Sequence, residues 1–128
     1  MNESTSGTKD RCRVVNIGPD LEVRRLLTEF VKTNDRVSIY HIETGTIGLD
    51  ILSNLPESDV PDMVIVPFRL PILTGLDFIA AMRSNERLKA IPVIVWGTQM
   101  QVDEINEMYS AGATCVLAGK FKLLMSTD

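Results

Sequence analysis

The stretch Pro61-Asp62-Met63-Val64-Ile65-Val66-Pro67-Phe68-Arg69-Leu70-Pro71 decides the fold. Met63 to Val66 is a short apolar run rich in β-branched residues. A strand with one wet face would alternate apolar and polar residues. This one does not, so it reads as a strand covered on both sides. Pro67 has no N–H to give a ladder, which a strand end tolerates, and the chain passes there into a loop.

Four further runs have the same character: Cys12 to Ile17, Val37 to Ile42, Pro92 to Trp96 and Cys115 to Ala118. Between them, apolar residues recur at helical spacing: Val23, Leu26, Leu27, Phe30 and Val31; Gly48, Ile51, Leu52 and Leu55; Leu76, Ile79 and Met82; Val102, Ile105 and Tyr109. Short strands alternating with helices define an α/β protein, a doubly wound, five-stranded parallel sheet with helices on both faces. Asp20 is placed to cap the first helix, and Gly112 to end the fourth. After the fifth strand only Lys120 to Asp128 remain, so a fifth helix would be shortened to about two turns. An isolated helix of under ~12 residues is marginal in water, and this one would need to dock on the sheet.

The chain has 128 residues, which suits one domain, expected over residues 12–128 after a disordered polar tail over 1–11. With 13 Lys and Arg against 17 Asp and Glu the net charge is −4, which argues against nucleic acid and acidic lipid as partners. No apolar run approaches the ~20 residues of a membrane span, and Met1 to Asp10 lacks the apolar middle of a secretory signal, so a cytoplasmic location is expected. Cys12, Cys115 and His41 stand apart without zinc-ligand spacing, and the cysteines read as small buried thiols.

The whole pattern resembles the receiver domain of bacterial two-component response regulators. The resemblance rests on Pro61 to Pro71 as third strand and loop, Gly75 before the third helix, Ile91-Pro92-Val93-Ile94-Val95 as fourth strand, and Gly112-Ala113 before the fifth. It implies a flavodoxin-like topology with a phosphorylation site at the carboxyl ends of the strands. Position by position, it puts the Mg²⁺-binding acidic pair at Gly18 and Pro19, the phosphoacceptor at Pro67 and the hydroxyl at Gly97. The lysine falls at Gly119, the proline after it at Lys120, and the aromatic switch at Val116. None of these side chains can do the corresponding work, and proline offers no nucleophilic oxygen. Asp20, Thr98 and Lys120 lie one place beyond the lost positions and are the candidates for a remnant site; the plainer readings are a helix cap, a loop cap and a solvated lysine.

The resemblance thus implies a degenerate receiver: not an enzyme, without metal or cofactor, acting by binding a signalling protein or a kinase-related partner. Trp96, Met108, Tyr109 and Phe121 are candidate interface residues, although Trp96 also reads as buried beneath the fourth helix. A shortened fifth helix would leave apolar sheet surface for a homodimer or a partner helix. Two alternatives stay open: a conventional phosphoacceptor with a displaced site, and a flavodoxin-like small-ligand binder. Only Gly18-Pro19-Asp20 follows Ile17, with no glycine-rich phosphate fingerprint.

Overall fold

The computed structural model describes residues 11–120. The expected tail, the shortened fifth helix and Phe121 lie outside the described residues. Strands β1 (Cys12–Ile17), β2 (Val37–Ile42), β3 (Met63–Pro67), β4 (Val93–Gly97) and β5 (Cys115–Ala118) form one parallel sheet in the order β2-β1-β3-β4-β5. Helices α1 (Leu21–Lys32), α2 (Gly45–Asn54), α3 (Gly75–Ser84) and α4 (Val102–Ala111) connect them, with a short 3₁₀ turn at Glu57–Asp59. β1, β2 and β5 have the bounds read from sequence. β3 runs one residue further and β4 is shifted by one, beginning at Val93 instead of Pro92 and ending at Gly97, because Pro67 and Gly97 still pair with Trp96 and Ala118 respectively.

Alternation along the strands sorts side chains onto two faces. Val15, Ile17, Val64, Val66, Val93 and Val95 point toward α2, α3 and α4, where Leu52, Phe78, Ile79, Met82 and Met108 complete the main core. The opposite face meets α1 through a smaller cluster, Val23 and Leu27 against Ile39, Ile65 and Trp96. Both faces are therefore covered by helices, which is why the strands carry little polar alternation.

Caps set the entry of each helix. The Asp20 carboxylate accepts the N–H groups of Glu22 (2.9 Å) and Val23 (3.1 Å), and the hydroxyls of Thr44 and Thr74 serve α2 and α3 in the same way. The Glu104 carboxylate takes the Gln101 N–H at the start of α4 (2.8 Å). Gly112 ends α4 in the left-handed conformation at φ 114°, which glycine adopts without a Cβ penalty. Arg83, at the end of α3, donates to the carbonyls of Gly112 (2.9 Å), Ile91 (2.7 Å) and Lys89 (3.1 Å) at the amino end of the sheet. Burial holds its guanidinium pKa below the ordinary value.

Candidate functional site at the carboxyl end of the sheet

All strands run the same way, so the loops after β1, β3, β4 and β5 gather at one end, on either side of the point where strand order reverses between β1 and β3. Gly18 follows β1 at φ 127° and is buried; a Cβ on it would stand 3.2 Å from Cγ of the Pro67 ring and 4.0 Å from Leu70. A side chain at position 18 would thus meet both a strained backbone and the proline. Pro67 is itself buried at the end of β3, and Leu70 is 6% exposed beside it. Across β4, a Cβ on Gly97 would lie 3.0 Å from Cβ of Phe68 and 3.2 Å from the Met100 sulfur. The Gly119 N–H closes onto the Gly97 carbonyl at 2.7 Å. The crevice where the family's acidic, hydroxyl and lysine groups would converge is filled by Pro67, Phe68, Leu70 and Met100.

Of the remnant candidates, Asp20 caps α1 through Oδ1 of its carboxylate, while Thr98 and Lys120 are exposed. Mg²⁺ demands hard oxygen ligands in octahedral array. Glycine, two prolines and an apolar filling do not suit it, and among the described residues no three His, Cys, Asp or Glu side chains group as a metal site.

The interface candidates divide. Met108 is 0% exposed and belongs to the main core, which removes it from any interface. The buried stripe of α4 runs through Met108 instead of Tyr109 and Val102, which stand 47% and 74% exposed. The Tyr109 hydroxyl accepts the Val116 N–H at 3.0 Å, tying α4 to β5. Trp96 does not lie beneath α4: Val95 and Gly97 take that face, so the residue between them faces α1, where it packs with Leu26, Ile39 and Ile65. Beyond that cluster, Ile94, Cys115 and Leu117 are partly exposed.

A polar group sits beneath α1. Asn16, 1% exposed, donates from its amide to Nδ1 of His41 (3.2 Å), whose Nε2 lies 3.4 Å from the Thr28 hydroxyl. Burial first, and the positive Arg24 second, hold the His41 pKa below its ordinary value.

Sequence reasoning missed the apolar surface around the filled crevice. Leu21 (75%), Ile47 (50%), Ile72 (99%) and Val102 (74%) all emerge at this end. Ile72 has φ 68°, and Leu73 donates its N–H to the Pro71 carbonyl at 2.6 Å, forming a three-residue γ-turn with Ile72 at its tip. A β-branched residue in that region stores about 1–3 kcal/mol of backbone strain. Beside it, a groove of about 330 Å³ is bordered by Phe68, Leu70, Leu76, Thr74, Arg69 and Glu107. The Arg69 guanidinium lies 5.0 Å over the Phe68 ring.

Residues 17–123 match the response regulator receiver domain, and the chain belongs to that family, whose members serve two-component signalling. Among relatives, it is 28% identical over 90 residues to the chemotaxis protein CheY of Pseudomonas aeruginosa, spanning 70% of this chain and 69% of that one. It is 27% identical over 93 residues to a protein-glutamate methylesterase/protein-glutamine glutaminase of Clostridium acetobutylicum, matching 25% of that longer chain. The fold is that of the phosphorylated cyanobacterial phytochrome response regulator RcpA, with a TM-score of 0.78 at 21% identity over 89% of this chain and 84% of that one. The chemotaxis response regulator CheY4 of Vibrio cholerae is also similar in fold, with a TM-score of 0.74 at 19% identity over 87% of this chain and 88% of that one. Among the described residues no helix is long and apolar enough to cross a membrane.

Proposed function

We propose that this receiver domain accepts no phosphoryl group and signals by binding another protein, in the cytoplasm and without catalysis or a cofactor of its own. The observation that carries this reading is the closure of Pro67 against Gly18 at the place the family reserves for its nucleophile. Proline supplies no oxygen to attack a phosphodonor, and a metal-binding carboxylate at position 18 would meet a strained backbone and a tight contact with the proline ring. Asp20, two residues beyond Gly18, caps α1 through Oδ1 of its carboxylate. Incubation with acetyl phosphate and Mg²⁺, followed by intact mass measurement, tests the reading. No gain of mass is expected, and a stable gain of one phosphoryl group overturns it.

A homodimer is a second reading, favoured by the partly exposed Ile94, Trp96, Cys115 and Leu117 on the α1 side. Light scattering at rising concentration decides it: a clean monomer throughout counts against the dimer.

A further inference from the structure

Strand β2 closes one side of the sheet, and among the described residues only β1 pairs with it. The ladder between them decides which backbone groups of β2 are left over. Cys12 donates its N–H to the Arg36 carbonyl at 2.6 Å and Gly18 to the Ile42 carbonyl at 2.8 Å, with Cys12 in register with Val37 and Ile17 with Ile42. In a parallel pair, alternate residues turn both backbone groups to the same neighbour. Ser38, Tyr40 and Ile42 therefore face β1, while Val37, Ile39 and His41 face outward. The Val37 N–H is used locally, on the Asn34 carbonyl at 3.2 Å. Ile39 and His41 each present a donor and an acceptor along the edge, and such groups call for partners.

Nothing in β2 blunts that edge. Edge strands are commonly protected by lysine, proline, a bulge or an inward charge, and Val37–Ile42 has none of these. Tyr40 stands on it instead, 60% exposed, at an apolar cleft of about 300 Å³ to which Ile42, Ile51, Leu52 and Leu55 contribute. Unpaired backbone, β-forming side chains and an exposed ring fit another strand. The flanking charges fit a second copy. Arg36 precedes β2 and Glu43 follows it, while the strand itself carries neither Lys, Arg, Asp nor Glu. Antiparallel pairing about a two-fold axis at Tyr40 matches Ile39 with the second copy's His41 as a hydrogen-bonded pair, and sets Tyr40 against Tyr40 in the closer, non-hydrogen-bonded pair. Each Arg36 then lies one position from the second copy's Glu43, and Asp35 falls opposite Gly45. An axis at Ile39 would instead set Asp35 opposite Glu43, like charge against like. We infer that β2 pairs antiparallel with β2 of a second copy about an axis at Tyr40, so that one continuous sheet runs through two domains. This surface lies at the opposite edge of the sheet from Ile94, Cys115 and Leu117. It is independent of whether the domain takes up phosphate.

The test follows the full chain by light scattering and amide hydrogen exchange at rising concentration. A shift toward the dimer mass is expected, with new protection at the Ile39 and His41 amides and no change at Tyr40, whose N–H already faces β1. Tyr40→Lys and Tyr40→Glu should each weaken association by about tenfold or more, because like charges then meet on the axis. An equal mixture of the two variants should associate again. Tyr40 is exposed, so both should unfold at the parent's temperature. A clean monomer at every concentration, protection centred on Ile94, Trp96 or Leu117 instead of β2, variants that associate as the parent does, or a mixture that stays monomeric would each overturn the assignment.

Discussion

Replacing Pro67 by aspartate puts the family's nucleophile back into the position that carries the functional argument, and the structure says what should follow. Position 67 is buried, and the Pro67 ring packs beside Gly18. An aspartate there would favour its protonated form, because burial takes the charged form out of water. The unfolded chain releases that proton near pH ~3.9, so keeping the group neutral at pH 7 costs about 1.36 kcal/mol for each of roughly three pH units, or about 4 kcal/mol. With the folded pKa raised, the deficit is small below pH ~4 and grows as pH rises. It is a large share of the ~5–15 kcal/mol that holds a typical domain folded. Urea unfolding of Pro67→Asp beside the parent at pH 4 and pH 7 reads the difference directly. Equal stability at pH 7, or uptake of one phosphoryl group by the variant from acetyl phosphate and Mg²⁺, would refute the filled-crevice argument.

Three other perturbations probe separate parts of the chain. Met108→Ala should cost about 2–5 kcal/mol in urea unfolding, the range for truncating a fully buried side chain, whereas a surface residue would lose almost nothing. Asp20→Ala should cost about 1 kcal/mol through the lost α1 cap. That loss should be the same with and without Mg²⁺; a loss present only with the metal would revive a remnant site. His41 has its folded pKa lowered from the ordinary 6.5, so the unfolded chain takes the proton first. Its contribution to stability should be present above about pH 6.5 and fade as pH falls through the folded value, and His41→Gln should remove that component from the stability–pH curve.

Much of the fold was legible because burial on both faces writes itself into composition. Val14 to Ile17 and Met63 to Val66 needed no context to read as central strands, and Asp20 and Gly112 announced helix ends through local chemistry. The same uniformity hid orientation. In Ile94-Val95-Trp96 every residue is apolar, so nothing in the run fixes which face Trp96 takes; only the docking of Val95 toward α2, α3 and α4 does. Helix α4 misled for a related reason. Val102, Ile105, Met108 and Tyr109 offer two overlapping apolar stripes, and tertiary packing chose the one through Met108. The resemblance assigned Gly18 and Pro67 to positions of one site, but the packing of one against the other came only from the structure. So did the turn at Ile72, since a γ-turn depends on a single residue's backbone angle and leaves no periodic trace.

The clasp of Arg83 has a consequence for how the domain opens. One guanidinium holds the carbonyls of Lys89, Ile91 and Gly112, so the α3–β4 connection and the turn leading into β5 share their anchor. Neither can peel away without stranding the other's acceptors. Amide protons in those two segments should therefore exchange with solvent as one cooperative unit, at the same free energy, while the loops at the far end of the sheet exchange independently of them.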